Sequence, residues 1–327
     1  MARKETSDGV PLRDASLEKA ENGLEDAAIE VSVVVPAYRG LVTIGSCLES
    51  VRKAAAGLNY EIIVVESSAD GTAELVRSRF PAVKVIESAS RLSAGTARNE
   101  GFRHARGRLW LCVDQDCLVP EDWMKRLVDL LGRDGVGAAG GSIGVANPGS
   151  LSGWCVYFLE FFTHFPSRGR VRDDNYLIGA NSGWRPEAAG REVFPDRTLG
   201  EDLIASDRIR RNGFLVLYDP SLTVQHHNRH GWREFLGYCR KMGAAAADSR
   251  TRLGGRAIDV LHRVPALAFG IPFVILPRIA WHLLSAPRGY LPRFLGLLPC
   301  CVAGHFVWAN AFRKALCQSR HRRSVPA

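Results

Sequence analysis

The apolar positions of this chain fall into two alternating periods. Glu30-Val31-Ser32-Val33-Val34-Val35-Pro36 is a β-branched run stopped by proline, the pattern of a strand buried on both faces. Ile44, Leu48, Val51 and Ala55 then recur at helical spacing within residues 42–56. A second buried run, Tyr60-Glu61-Ile62-Ile63-Val64-Val65, precedes a helix predicted over residues 69–80 and opened by Asp70-Gly71-Thr72. Val83-Lys84-Val85-Ile86 predicts a third strand, residues 93–106 an Ala- and Arg-rich helix, and Leu109-Trp110-Leu111-Cys112-Val113 a fourth strand. Strands alternating with helices over about 90 residues predict an α/β fold with a mostly parallel sheet. Further on, helices are expected at 121–132 and 201–212, and strands at 138–145 and 214–218. Residues 150–200 are aromatic and read as irregular.

The two ends differ from this middle. Residues 1–29 are polar and without periodicity, the pattern of a tail. After residue 256 the chain turns apolar. Residues 264–277 are bounded by Arg263 and Arg278, and residues 294–312 carry no charge. A membrane-spanning helix needs about 20 apolar residues. Prolines 265, 272, 277, 287, 292 and 299 are expected to kink or break these helices. The pattern predicts a helical pair at a membrane interface, or dipping into it as a re-entrant hairpin, with full spanning as the lesser variant and a buried helical subdomain as the plainer reading. The organisation expected is therefore a tail (1–29), an α/β domain (30–256) and an apolar, basic helical segment (257–327).

Charge sharpens that picture. The formal charge of +9 is unevenly placed: residues 1–30 hold four Lys/Arg against eight Asp/Glu, and residues 257–327 hold nine against one. A basic segment flanking apolar runs points to an anionic membrane leaflet rather than nucleic acid. The eight cysteines form no C-x-x-C pair, and no apolar leader opens the chain. A reduced setting at the cytoplasmic face of the membrane is the expectation.

Candidate chemistry sits where strands end. In parallel sheets ligands bind beyond the carboxyl ends of strands. Glu66 follows the second strand, and Asp114-Gln115-Asp116 follows the fourth. Two carboxylates two residues apart can face one hard divalent cation, Mg²⁺ or Mn²⁺, which also bridges diphosphate oxygens.

Five motifs in order carry a resemblance. They are Val33-Val34-Val35-Pro36-Ala37-Tyr38; Glu61 to Val65 leading to Glu66-Ser67-Ser68-Ala69-Asp70-Gly71-Thr72; Gly95-Thr96-Ala97-Arg98-Asn99-Glu100-Gly101; Asp114-Gln115-Asp116; and Gly200-Glu201-Asp202. Over about residues 30–230 the chain resembles a family 2 glycosyltransferase with the GT-A fold. The resemblance implies an inverting, metal-dependent transfer of sugar from a nucleotide-sugar donor to a sugar or lipid-linked acceptor.

It also implies roles. Pro36, Ala37 and Tyr38 would hold base and ribose, and Arg98, Asp114 and Gln115 would lie on the donor side. Glu66 falls where the family usually has Asp, an acceptor for a uracil N–H, which favours a UDP-sugar over a GDP-sugar. Asp116, with Asp114, would bind the metal, and His226 fits the family spacing for a third ligand better than His227. Asp202 is the candidate catalytic base, with Glu201 as its neighbour and rival, and a helix N-cap or first-turn acid as the plainer reading. Gly179-Ala180-Asn181-Ser182-Gly183 resembles the acceptor-side loop, with Asn181 and Gly183 as candidates. The order Gln225 to Trp232 does not match the Q-x-x-R-W box of processive relatives. Two rival classes remain at this level: a nucleotidyltransferase on a related sheet, and a non-catalytic binding protein on a decayed transferase fold.

Overall fold

The computed structural model describes residues 28–55, 57–196 and 200–324. Most of the polar tail expected at 1–29, and Leu199 before the Gly200-Glu201-Asp202 motif, lie outside the described residues.

The first half builds as its periods dictate. Strand β1 (Val31–Ala37) and helix α1 (Ile44–Ala54) are followed by β2 (Tyr60–Glu66) and α2 (Thr72–Arg79). Then come β3 (Lys84–Glu87), α3 (Ala94–Arg103) and β4 (Leu109–Val113). β2 and β4 both pair with β1 in parallel, and β3 pairs with β2. The chain therefore lays strands to one side of β1, then returns to its other side. The gap between the ends of β1 and β4 is a topological switch point, the place where such sheets bind ligands.

The second half extends the sheet. It contains β5 (Cys117–Leu118), α4 (Trp123–Leu131), β6 (Val136–Val145), α5 (Leu151–Glu160), β7 (Arg172–Asp173), β8 (Asn181–Trp184) and α6 (Pro186–Ala189). Helix α7 (Glu201–Arg211) and β9 (Leu215–His226) complete it. The strand order is β3-β2-β1-β4-β8-β6-β9-β5, with β7 also on β9. β8 is antiparallel to both β4 and β6, while β6 and β9 are parallel. Six strands thus share one direction, as the alternation predicts.

Three expectations are corrected here. Residues 150–200 are not irregular: α5 is so apolar that nearly all of it is buried, which hides the helical stripe. The segment 179–183 is not a loop throughout, because β8 runs through it in the middle of the sheet. The strand expected to end at residue 218 continues to His226, past Pro220 at an irregular stretch of the β6–β9 pairing.

Beyond α8 (Trp232–Leu253) the chain is helical: α9 (Arg256–Arg263), a 3₁₀ turn (Pro265–Gly270), α10 (Ile271–Leu283), α11 (Tyr290–Gly296) and α12 (Leu298–Ser324). The apolar runs are divided into shorter helical elements near their prolines, as expected. Pro265, Pro272, Pro292 and Pro299 stand in first turns, where no helical hydrogen bond is lost. Only Pro277 lies inside a helix, α10. Pro265–Leu283 is long and apolar enough to cross a membrane, and α11 with α12 as far as Gln318 passes the same test but is bent by 73°.

These helices share the main core. Phe294 meets Phe158 edge-on at 5.1 Å, and Tyr290 meets Trp154 at 4.9 Å. α12 lies so close along α8 that a Cβ at Gly243 would fall 2.2 Å from the Trp308 carbonyl oxygen, and one at Gly304 2.3 Å from Phe235. Replacing Gly243 by Leu is therefore expected to cost at least about 1–3 kcal/mol by overpacking. It should lower the melting temperature, as read by circular dichroism.

Candidate active site

The switch point is held shut by one side chain. Gln115, just past β4, donates from Nε2 to the Tyr38 carbonyl (2.8 Å) and accepts from the Tyr38 N–H (3.1 Å). The amide thus fastens the end of β1 to the end of β4, and a Cβ on Gly40 would strike it at 2.2 Å. Two non-glycine residues with positive φ, Arg39 (56°) and Ala69 (51°), sit in the loops after β1 and β2. Such conformations cost energy and concentrate where a loop must present its groups in one way.

Glu66 shapes the second of these loops. Its carboxylate is 1% exposed and accepts from the Ser68 N–H (2.6 Å), the Ser68 hydroxyl and the Ala69 N–H (3.1 Å). A group committed in this way builds the loop rather than offering a free acceptor to a base, so the argument for uracil loses its carrier. Ala37 is likewise buried, its carbonyl taken by the Ser67 N–H at 3.1 Å. Pro36 and Tyr38 remain partly open, and Arg91 lies over the Tyr38 ring at 4.3 Å.

The acids gather around Arg98. From α3 this guanidinium, 3% exposed, donates to Asp114 (2.6 Å) and to Glu201 (3.0 Å). Burial would lower its pKa, but the two carboxylates outweigh it and raise it. Its Nε has no hydrogen-bond partner. Arg98 therefore anchors the acids, rather than lying free beside a diphosphate.

Asp202 stands apart from that pair. It is the second residue of α7, with Gly200 at the cap position, so it is not an N-cap. Among the described residues its carboxylate accepts from backbone N–H groups alone, Leu203 at 2.9 Å and Gly179 at 3.4 Å. Burial first, and then the neighbouring Glu201, push its pKa up to about 7, with Arg98 opposing. Arg98, Asp114, Glu201 and Asp202 all line one cavity of about 680 Å³.

Asp116 and His226 meet through strand pairing. β5 runs antiparallel to β9 with Cys117 opposite His226, and the His227 N–H donates to the Asp116 carbonyl at 2.8 Å. His226 Nε2 then lies 3.4 Å from the Asp116 carboxylate, and its Nδ1 lies 3.0 Å from Asn228 Oδ1. Burial works against the imidazolium, but Asp116, Glu160 and Asp114 together raise its pKa. Asp116, Cys117 and His226 present ligand atoms within 4.8 Å of one another. Burial, Asp116 and Asp114 hold the Cys117 thiol protonated, so the usable donors are one carboxylate and one imidazole. That set suits Mn²⁺ or Mg²⁺ completed by water and phosphate oxygens.

The structure separates Asn181 and Gly183 from this group. Asn181 is fully buried in β8 and spends its side chain on Trp123 (2.9 Å) and on the carbonyls of Ser142 and Leu222 (2.9 Å each). A Cβ on Gly183 would meet Leu111 at 2.7 Å. Both are packing residues, because what reads as a loop is a central strand.

Glu160 was not legible as a site residue. It ends α5, lines the same cavity, and has a pKa raised by burial, against the pull of His226 and a hydrogen bond from Tyr238. A lone acid closing an otherwise apolar helix was the available signal. Arg229, Tyr238 and Lys241 also line the cavity.

Comparison with known proteins places this geometry. Residues 32–189 match the family described as Glycosyl transferase family 2. A dolichol-phosphate mannosyltransferase of Pyrococcus furiosus is 31% identical over 133 residues, 39% of this chain and 37% of that protein. The succinoglycan biosynthesis protein ExoO of Rhizobium meliloti is 36% identical over 124 residues, 37% of this chain and 34% of that protein. The chain thus spans little more than a third of the length of either relative. Among solved structures, the mannosyltransferase PcManGT from Pyrobaculum calidifontis in complex with GDP-Man and Mn²⁺ superposes with a TM-score of 0.56 at 20% identity, over 95% of both chains. At that identity the likeness is one of fold, the GT-A arrangement of a mostly parallel sheet between helices. The strands that lead to Glu66 and Asp114 fall within the matched segment, and it is residues 32–189, rather than the whole chain, that match glycosyl transferase family 2.

Proposed function

We propose that the protein transfers a sugar from a nucleoside-diphosphate sugar to an acceptor hydroxyl, with inversion at the anomeric carbon. The observation that carries this reading is the division of labour between two adjacent acids. Glu201 is ion-paired to Arg98, whereas Asp202 meets the same cavity with its pKa near 7. A general base works best when its pKa lies near the working pH.

The acceptor hydroxyl gives its proton to Asp202 as its oxygen bonds to the anomeric carbon. The bond from that carbon to the diphosphate oxygen breaks on the opposite face, and the electron pair leaves with the nucleoside diphosphate. Asp116 and His226 would hold Mg²⁺ or Mn²⁺, which supplies positive charge against the diphosphate when bound. Tyr38 and the loops after β1 and β2 lie where the nucleoside would sit, at the switch point. The exposed apolar side chains of α10 and the basic C-terminal segment support a seat on the cytoplasmic face of the membrane. The similarity to a succinoglycan biosynthesis protein supports a place in cell-envelope glycan or glycolipid assembly.

Thermal-shift measurements with UDP- and GDP-sugars in Mn²⁺ should single out one donor by a large stabilisation; no stabilisation by any nucleotide sugar would overturn the reading. Asp116→Ala and His226→Ala should weaken Mn²⁺ binding, followed by electron paramagnetic resonance, and donor turnover should stop in chelator. Initial rates should rise as pH increases through about 7, because the base must lose its proton. Asp202→Asn should cut kcat by about 100- to 10,000-fold.

The same substitution should stabilise the fold above neutrality. A carboxyl whose folded pKa is raised from 3.8 to about 7 binds its proton more tightly when folded, so its contribution turns unfavourable as pH rises through that window. Melting temperatures of the two proteins should therefore draw apart as pH rises from about 4 to about 7, stay apart above that, and converge in acid. Arg98→Ala should cost about 3–5 kcal/mol, since it strands Asp114 and Glu201 without their partner; chemical denaturation measures it.

A further inference from the structure

An imidazole gives a lone pair to a cation from one nitrogen only while the other nitrogen carries the proton. The pairing of β5 with β9 brings His226 beside Asp116 but does not decide which nitrogen is which. Nε2 is the one near the Asp116 carboxylate, at 3.4 Å. His226 can serve as a ligand there only if something keeps its proton on Nδ1.

Asn228 is placed to do so. It stands two residues past His226, is 2% exposed, and sets its Oδ1 3.0 Å from Nδ1. An amide oxygen only accepts, so it draws the imidazole proton to Nδ1. Phe161 packs against the ring at 67°, with centroids 5.1 Å apart, which restricts its rotation. The other end of the amide is spent on nothing: Nδ2 is buried without a hydrogen-bond partner among the described residues. A buried N–H left in that way is costly, so the side chain is held there for its oxygen. The reverse orientation of the amide would set Nδ2 against Nδ1, send the ring proton to Nε2, and close that nitrogen to a cation.

The seat of Asn228 is built on its backbone. Its N–H donates to Asn147 Oδ1 at 3.0 Å, and its carbonyl accepts from Asn147 Nδ2 at 2.8 Å. To either side, the Ala146 N–H donates to the His226 carbonyl at 2.9 Å, and the Gly231 N–H donates to the Ser152 hydroxyl at 2.8 Å. Residues 146–152 thus grip the chain from His226 to Gly231 through bonds that leave the Asn228 side chain out. That side chain can be replaced while the grip stands.

We infer that Asn228 is a positioning residue of this site: its Oδ1 holds the proton of His226 on Nδ1 and so keeps Nε2 open to a divalent cation beside Asp116. The inference rests on the reading of Asp116 and His226 as metal ligands. Partners that orient a ligating histidine in this way are worth about 10- to 100-fold in metal affinity.

The test uses the full chain without donor. Mn²⁺ titrations followed by electron paramagnetic resonance should show Asn228→Ala binding about 10- to 100-fold more weakly than the native protein, and Asn228→Asp, which keeps an acceptor, within about threefold of it. Nuclear magnetic resonance of the metal-free chain with ¹⁵N-histidine reads the proton itself. A slowly exchanging proton is expected on His226 Nδ1, assigned by its loss in His226→Gln, present in Asn228→Asp and exchanged away in Asn228→Ala. If Asn228→Ala does not fold, the native spectrum and Asn228→Asp decide. Equal Mn²⁺ affinity of native and Asn228→Ala, a loss in Asn228→Asp as deep as in Asn228→Ala, or a proton on Nε2 alone would each overturn the inference and leave the metal reading standing. No Mn²⁺ binding by the native chain would overturn both.

Discussion

The site depends on a single buried cation. Asp114, Glu201, Asp202 and Glu160 line one cavity, and that many carboxylates could not share it charged without compensation. Arg98 supplies the compensation by gripping Asp114 with one nitrogen and Glu201 with the other. It reaches both because α3 packs tightly against its neighbours. A Cβ at Gly95 would strike Glu201 at 2.8 Å, and one at Gly101 would strike Val34 at 2.3 Å. The glycines of that motif thus serve the closeness of helix and sheet, and the closeness serves the ion pair.

Adjacent acids acquire different properties from this arrangement. Glu201 and Asp202 are neighbours in the chain and share the first turn of α7. The guanidinium reaches only Glu201. Asp202, which has no ion-pair partner among the described residues, takes the burden of burial and of its charged neighbour, which moves its proton affinity to the neutral range. The helix N-terminus favours a charged acid there, and desolvation outweighs it. At the β9–β5 end of the strand order, the pairing fixes which of two histidines turns inward: His226 is buried beside Asp116 and His227 is not.

The C-terminal helices are part of this site as much as they are a surface. Phe294, Leu297 and Cys301 belong to the same core as β1 and α5. α8 carries Tyr238 and Lys241 into the cavity while its small residues admit α12 alongside. A segment that looks like an appendage by composition closes the cavity wall.

The sequence by itself determined the α/β alternation, the order of β1 to β4, and the placement of Asp114, Asp116 and Glu66 at strand ends. These follow from local periods of two and 3.6 residues, which depend on neighbours along the chain. It also determined that Asp202 stands at a helix start, and which family the motifs resemble. Only the tertiary structure decided that Asn181 lies in a central strand, that Glu66 is spent on its own loop, and that Glu160 faces the acids. The β8 strand is too short and the α5 helix too uniformly apolar to show a period. The choice between Glu201 and Asp202 was likewise beyond the sequence, because it turns on which carboxylate a guanidinium from position 98 can touch across the fold. Distances of that kind are set by packing between elements, and no local pattern of residues contains them.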